Sequence, residues 1–250
     1  MMIKNLFALN GKTIFITGAG SGIGRATALQ CAGLGATVHI TDLNEASLAE
    51  TLGMLEGEGH QMYVANLTDD AALQELVGKL PKLDGFVSNA GIIKTILTQF
   101  GEREDVEKIM NINTIAPIRL TQILLQNKRF NKEAALVYTS SMAGVFNGAI
   151  GNGLYGASKS ALVGFVKSLA LELAPRKIRV NTVNPGITQT NIYNNTSITQ
   201  EQLEEEMKRY PLGRYGRPDE IASAIVYLLS NATKWMTGTN LLIDGGFSLN

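Results

Sequence analysis

Tyr155 and Lys159 open a run whose apolar positions, Leu162, Phe165, Val166, Leu169 and Leu173, recur at helical spacing and stop at Pro175. Residues four apart share one helix face, so the ammonium can reach the region of the phenol. A free tyrosine ionises near pH 10, at about that value in model peptides. A neighbouring cation favours the phenolate, which makes Tyr155 a usable proton donor and acceptor. A buried tyrosine beside a surface lysine is the plainer alternative. Upstream, the apolar run 135–139 ends in Ser140-Ser141-Met142-Ala143-Gly144. A hydroxyl there could donate to a substrate carbonyl oxygen as charge develops on it. A helix cap or serine turn is the alternative.

A second constellation sits at the first strand end. Gly18-Ala19-Gly20-Ser21-Gly22-Ile23-Gly24 follows the run 13–17 and opens a helix. Glycines there permit a tight turn and let backbone N–H groups approach a pyrophosphate at the helix N-terminus. The alternative is an ordinary glycine turn. The next apolar run leads to Asp42, 18 residues past Gly24. An aspartate there can accept hydrogen bonds from adenosine ribose hydroxyls and would repel a 2′-phosphate, so NAD is expected over NADP. Asp42 could instead cap the helix that starts near Asn44. Two more strand ends are suited to a flat ring and its substituents. Asn89-Ala90-Gly91 follows 86–88, and Pro185-Gly186-Ile187, with Thr190 beyond, follows 179–183. Pro117 lacks an N–H, so a helix through 102–129 would leave the Asn113 carbonyl without its partner and should kink. An ordered water is the simplest replacement donor. A kink needed only for packing is equally open.

These residues need a scaffold that brings strand ends together. Seven short runs, 13–17, 37–41, 62–65, 85–88, 135–139, 179–183 and 240–243, alternate with helical candidates near 22–34, 44–57, 69–80, 102–129, 153–174 and 218–231. Strands separated by helices imply crossover connections. The expectation is a single doubly wound α/β domain over 1–250, of Rossmann type, with a seven-stranded parallel sheet and helices on both faces. Ligands then bind beyond the carboxyl ends of the strands.

Composition narrows the function. The 250 residues carry 22 basic and 22 acidic side chains, so no net basic field favours nucleic acid or an anionic membrane. One cysteine cannot form an internal disulfide, and with two histidines it makes an all-protein zinc site unexpected. At 45% hydrophobic and 18% charged residues the chain reads as globular. No apolar run reaches the roughly 18 residues of a membrane helix, and residues 1–12 do not read as a signal peptide. A cytoplasmic protein is expected. Cys31, inside the first helix, is expected to be a small packed residue without a chemical role.

Together, the loop at 17–24, Asn89-Ala90-Gly91, Ser141, the Tyr155/Lys159 pair and the segment 181–190 resemble the short-chain dehydrogenase/reductase family, classical type. The resemblance runs from the glycine loop to Gly238–Gly246. It implies that Tyr155 is the general acid/base, that Lys159 binds the nicotinamide ribose and lowers the tyrosine pKa, and that Ser141 holds the substrate oxygen. Asn113 would hold a relay water through its main-chain carbonyl. Asn66-Leu67 would contact adenine, in a position where the family usually has Asp-Val. The implied reaction is interconversion of a secondary alcohol and a ketone with NAD(H). The resemblance also implies a homotetramer or homodimer built on the two long helices and the C-terminal segment. Two departures stand out. Ser141 and Tyr155 are 14 apart, one more than usual, which implies an inserted residue in 146–153, and Ser88 replaces a frequent asparagine. A rival reading is a 3-oxoacyl thioester (acyl-carrier-protein) reductase, which shares Gly216-Arg217-Pro218 and 237–246 but commonly uses NADPH. A non-catalytic NAD-binding sensor or scaffold is a reading of another class, and it should have lost one of Asn113, Ser141, Tyr155 or Lys159. Substrate contacts are expected from a loop insertion near 188–215. Its Tyr193, Ile198, Leu203, Met207, Tyr210 and Leu212 could cover a substrate or pack on the domain. Its acids, Glu201, Glu204, Glu205 and Glu206, read as a solvated helix face.

Overall fold

The computed structural model describes residues 5–190 and 199–249. Its strands are β1 (Thr13–Thr17), β2 (Thr37–Asp42), β3 (Gln61–Val64), β4 (Leu83–Ser88), β5 (Phe130–Thr139), β6 (Arg179–Pro185) and β7 (Asn240–Ile243). They form one parallel sheet in the order β3-β2-β1-β4-β5-β6-β7. Between them lie α1 (Gly22–Gly33), α2 (Glu45–Gly53), α3 (Asp70–Lys79), α4 (Arg103–Met110), α5 (Ala116–Gln126), α6 (Gly153–Leu173), α7 (Gln200–Met207) and α8 (Pro218–Leu229).

Alternate strand side chains divide the core between the two sheet faces. Phe15, Phe86, Leu136 and Tyr138 pack with Leu76 of α3, Leu120 of α5 and Leu162 of α6. Ile14, Ile16, Val87 and Val137 pack with Ala28 of α1, Leu48 of α2 and Ile225 of α8. Both faces are covered, and for that reason the strands read as continuous apolar runs. Cys31 is fully buried, and burial pushes its thiol up to about 12, far from nucleophilic use.

Two elements differ from expectation. β5 begins at Phe130 rather than 135, because polar Asn131-Lys132-Glu133 interrupt the apolar run and the register with β4 shifts there. The helix expected over 102–129 is split. A π-helical turn, Asn111–Ile115, separates α4 from α5, and Pro117 stands in the first turn of α5. The amide of Ala116 donates to the Asn111 carbonyl, the wider i→i+5 spacing of a π turn. Loss of the Pro117 N–H is thus answered by widening the helix rather than by a simple kink. Among the described residues, no helix is long and apolar enough to cross a membrane.

β1 connects to β2 on one side, while β4 lies on its other side. The chain reverses its winding there, which opens a crevice at the carboxyl ends of β1 and β4.

Candidate active site

A cavity of about 700 Å³ occupies that crevice. Gly18, Ser21, Gly22, Ile23, Asp42, Asn66, Leu67, Asn89, Ala90, Gly91, Ser141, Tyr155, Lys159, Pro185, Gly186, Ile187 and Thr190 all line it. Of the residues given a catalytic or cofactor role from the sequence, Gly24 and Asn113 do not line it. A Cβ on Gly24 would lie 2.0 Å from the Gly18 carbonyl oxygen, so this glycine lets α1 pack under the loop. Gly18 and Gly22 take φ of +65° and +53°, in the left-handed region open to glycine. A Cβ on Gly18 would meet Ala90 Cα at 2.8 Å. The two loops at the switch point therefore touch backbone to backbone. Thr17 Oγ1 joins them by accepting from the amides of Asn89 and Ala90 at 3.0 and 3.1 Å.

The lining suits a dinucleotide. The first amides of α1 have no intrahelical partner, and the Ser21 side chain does not cap them. They are free for a pyrophosphate. Asp42 Oδ2 accepts from the Gly20 amide at 2.9 Å, and Oδ1 from the Asn44 amide at 3.1 Å. The capping role that Asp42 could have had falls to Asn44, whose side chain accepts from the Ser47 amide. Asn66 spends its side-chain oxygen on Thr68, at 3.1 Å from the amide and 2.8 Å from the hydroxyl.

The Ser141 hydroxyl lies close enough to the Tyr155 phenol to favour its ionised form, although one residue follows β5 and the other lies at the start of α6. The Ala143 amide donates to Ser141 Oγ at 3.1 Å. Lys159 Nζ donates to the Thr139 carbonyl at 2.9 Å. Burial raises the Tyr155 pKa, and the Ser141 hydrogen bond offsets this only in part. Burial also lowers Lys159 to about 8. Burial penalises the charged phenolate and is the larger of the two effects on Tyr155.

The buried Lys159 has a stability consequence. Its pKa falls from 10.5 to about 8 on folding, so between those values the unfolded chain binds the extra proton and stability rises with pH. Below pH 8 the fold carries the full cost of the buried ammonium, on the order of 3 kcal/mol. Lys159→Met is expected to raise the Tm at pH 7 by several degrees, less whatever the lost Thr139 contact contributes. The gap to the parent protein should close as pH approaches 10.5. An equal or lower Tm at pH 7, measured calorimetrically, would contradict this.

Asn113 acts from behind the cavity. Its Oδ1 accepts from the Ile92 amide at 2.8 Å, while Nδ2 donates to the Ile92 carbonyl at 2.9 Å and to Ser158 Oγ at 3.0 Å. Ser158 Oγ donates in turn to the Tyr155 carbonyl at 2.7 Å, and Thr114 Oγ1 donates to the Ser158 carbonyl at 2.8 Å. The π turn thus grips α6 one turn beyond the tyrosine, through a fully buried serine. Ser158→Ala leaves one Asn113 N–H unpaired, at a cost of about 1–3 kcal/mol. A Tm drop of several degrees is expected, together with a lower kcat at unchanged dinucleotide affinity. Unchanged kcat would restrict Ser158 to folding.

The remaining walls were less legible. Ile92, Ile93, Thr95, Met142, Asn147, Ala149, Ile150 and Asn152 line the cavity near Ser141 and Tyr155. The loop with the extra residue is fastened to the segment after β4 by the Ile96 amide, which donates to the Gly151 carbonyl at 2.9 Å. Thr139 Oγ1 donates to Asn89 Oδ1 at 3.2 Å, which ties β5 to the turn after β4. Tyr193, Ile198 and the side chain of Leu203 lie outside the described residues. Met207 and Tyr210 do not line the cavity; they pack with Met142, Tyr215 and Phe247. Leu212 is exposed. Glu206, expected on a solvated face, lines the cavity instead, while Glu201, Glu204 and Glu205 are exposed.

Comparison with known proteins agrees with this geometry. The family model described as enoyl-(acyl carrier protein) reductase matches residues 18–248. The chain is 36% identical over 244 residues to the 3-oxoacyl-(acyl-carrier-protein) reductase FabG of Thermotoga maritima, covering 95% of this chain and 98% of that one. It is 37% identical over 238 residues to the enzyme of the same name from Rickettsia bellii, covering 95% and 97%. Its fold superposes on a short-chain dehydrogenase/reductase from Serratia marcescens with a TM-score of 0.88, at 30% identity, covering 96% and 99%.

Proposed function

The chain belongs to the short-chain dehydrogenase/reductase family, oxidoreductases of carbonyl and CH–OH groups, and we propose that it interconverts a secondary alcohol and a ketone with NAD(H). The observation that carries this is the meeting of Ser141, Tyr155 and Lys159 in the same cavity as the glycine loop and Asp42. A bound nicotinamide supplies the two-electron donor or acceptor. The residues of the chain do the rest. The amides at the start of α1 hold the pyrophosphate. The turn at Asn89-Ala90-Gly91 and the segment at Pro185-Gly186-Ile187, with Thr190, bracket the nicotinamide half. Asn66 and Leu67 flank the adenine. Lys159 holds the nicotinamide ribose. Ser141 donates a hydrogen bond to the substrate oxygen. In reduction Tyr155 gives its phenolic proton to that oxygen, and in oxidation it takes the hydroxyl proton. The raised Tyr155 pKa keeps the phenol protonated at neutral pH. Asn113 holds a relay water behind Lys159.

NAD is favoured by the charges of the lining. Among the described residues the charged ones are Asp42, Lys159 and Glu206. A 2′-phosphate beside Asp42 would meet a carboxylate and no guanidinium or ammonium. Arg25, the nearest candidate, is committed to Glu50 at 2.7 Å and to the Gly20 carbonyl at 2.6 Å. Reduction of a 3-oxoacyl thioester is the second reading, favoured by the names of the relatives. The test is a panel of secondary alcohols, ketones and 3-oxoacyl thioesters, each with NAD(H) and NADP(H), followed by nicotinamide absorbance. Turnover of no ketone or alcohol would overturn the first reading. The whole chain as one dinucleotide-binding domain with its substrate loop near 188–215, in the cytoplasm, completes the proposal. A homotetramer or homodimer would cover the apolar Val106, Ile115 and Leu171, which α4, the π turn and α6 leave exposed.

A further inference from the structure

Two acids line the cavity. Asp42 stands at the end of β2, and Glu206 reaches the lining from the last turn of α7. The place of Glu206 is set by its neighbour. Met207 packs into a cluster of Met142, Tyr210, Tyr215 and Phe247, against which Ile187 also packs. Tyr210 OH accepts from the Ile187 amide at 2.9 Å. Met142 follows Ser141 directly, and Ile187 follows the end of β6. The cluster therefore ties the residue next to Glu206 to the residue next to the hydroxyl paired with Tyr155. Arg209 stands 3.8 Å from Glu206, with its guanidinium lying over the Phe247 ring at 4.5 Å from the centroid. That distance exceeds a hydrogen bond, so the Glu206 oxygens keep acceptor capacity for the cavity.

An ionised carboxylate accepts hydrogen bonds and donates none. It rewards an O–H or N–H and repels another anion. The lining that Glu206 joins includes apolar Ile93, Ala149, Ile150 and Ile187 beside polar Thr95, Asn147, Asn152 and Thr188. Glu201, Glu204 and Glu205 are exposed on the same helix, Glu205 in an ion pair with Lys208. We propose that Glu206 is a specificity-determining residue: it selects a neutral or cationic ketone or alcohol with a hydrogen-bond donor, O–H or N–H, beyond the reacting carbon, and rejects carboxylate- or phosphate-bearing substrates. This rests on the reading of the cavity as a carbonyl–alcohol site.

The experiment uses methyl ketones of one chain length that end in methyl, hydroxyl, ammonium or carboxylate. Reduction with NADH gives kcat/KM, and calorimetry gives binding of the same ketones to the NAD-loaded protein. The hydroxyl and ammonium members are expected to exceed the carboxylate member about 10-fold or more, in both measurements. Glu206→Gln should shrink that ratio to within about 3-fold, and Glu206→Lys should invert it, with the KM for NADH unchanged. A parent ratio near one, a ratio unchanged in Glu206→Gln, or binding of no member overturns the proposal. Selective binding without reduction of any ketone would support Glu206 and refute the reaction. Reduction without selectivity would do the reverse.

Discussion

Tyr155→Phe is expected to lower kcat by about 10²–10⁴-fold, the usual contribution of a positioned acid/base, while dinucleotide binding survives. The change removes one oxygen atom at the point where Ser141 and Tyr155 meet. It leaves the glycine loop, Asp42 and Lys159 as they are. Stopped turnover with an unchanged Kd for NAD, measured by fluorescence titration, is the expected pair of results. Full activity in the variant would refute the proposed mechanism. The pH profile of the parent protein adds a signed test. Burial raises the Tyr155 pKa, so the phenol stays protonated at neutral pH and can act as an acid. Reduction should be steady near neutrality and fall at high pH as the proton is lost. Oxidation needs the phenolate and should rise over the same alkaline range. Both limbs should vanish in Tyr155→Phe.

The parent protein is expected to prefer NAD to NADP by about 10²-fold or more in kcat/KM, and Asp42→Asn should remove most of that preference. Two like charges about 4 Å apart cost roughly 4 kcal/mol at an effective dielectric near 20, less where solvent screens them. A hundredfold preference therefore needs only part of that interaction. Asparagine is chosen because its side-chain oxygen can still accept from the Gly20 amide, 2.9 Å from Asp42 Oδ2. The Gly20 contact is kept, the exposed bond from the Asn44 amide is lost, and the charge is removed. Alanine would confuse the two effects. Strong NADPH preference in the parent protein would refute the role assigned to Asp42.

Much of the scaffold was legible because its signals are local. β1 and β7 have the expected limits, and the helix opened by Tyr155 runs to Leu173 with Pro175 just beyond. Period and punctuation suffice for such elements. The start of β5 was not legible, since a bulge over polar residues is sustained by its pairing with β4. Pro117 announced a break in the helix, but nothing local distinguishes a kink from a π turn. The choice depends on Asn113 and Thr114 reaching Ile92 and Ser158. Ser158 itself carries no motif signal; its part comes from lying between Asn113 and the Tyr155 carbonyl.

By itself the sequence determined the order of strands and helices, the glycine loop, and the residue types gathered at the strand ends. Hydrophobic period, glycine and proline are properties of neighbours along the chain. Only the tertiary structure decided how those ends interact. It brought Ser141 and Tyr155 to one cavity wall, turned Lys159 toward the Thr139 carbonyl, and buried the tyrosine so that its pKa rises. It also turned Glu206 out of a run of four acids that composition alone would leave in water. Desolvation and long-range contact depend on what lies across the cavity, and residues far apart in sequence supply it.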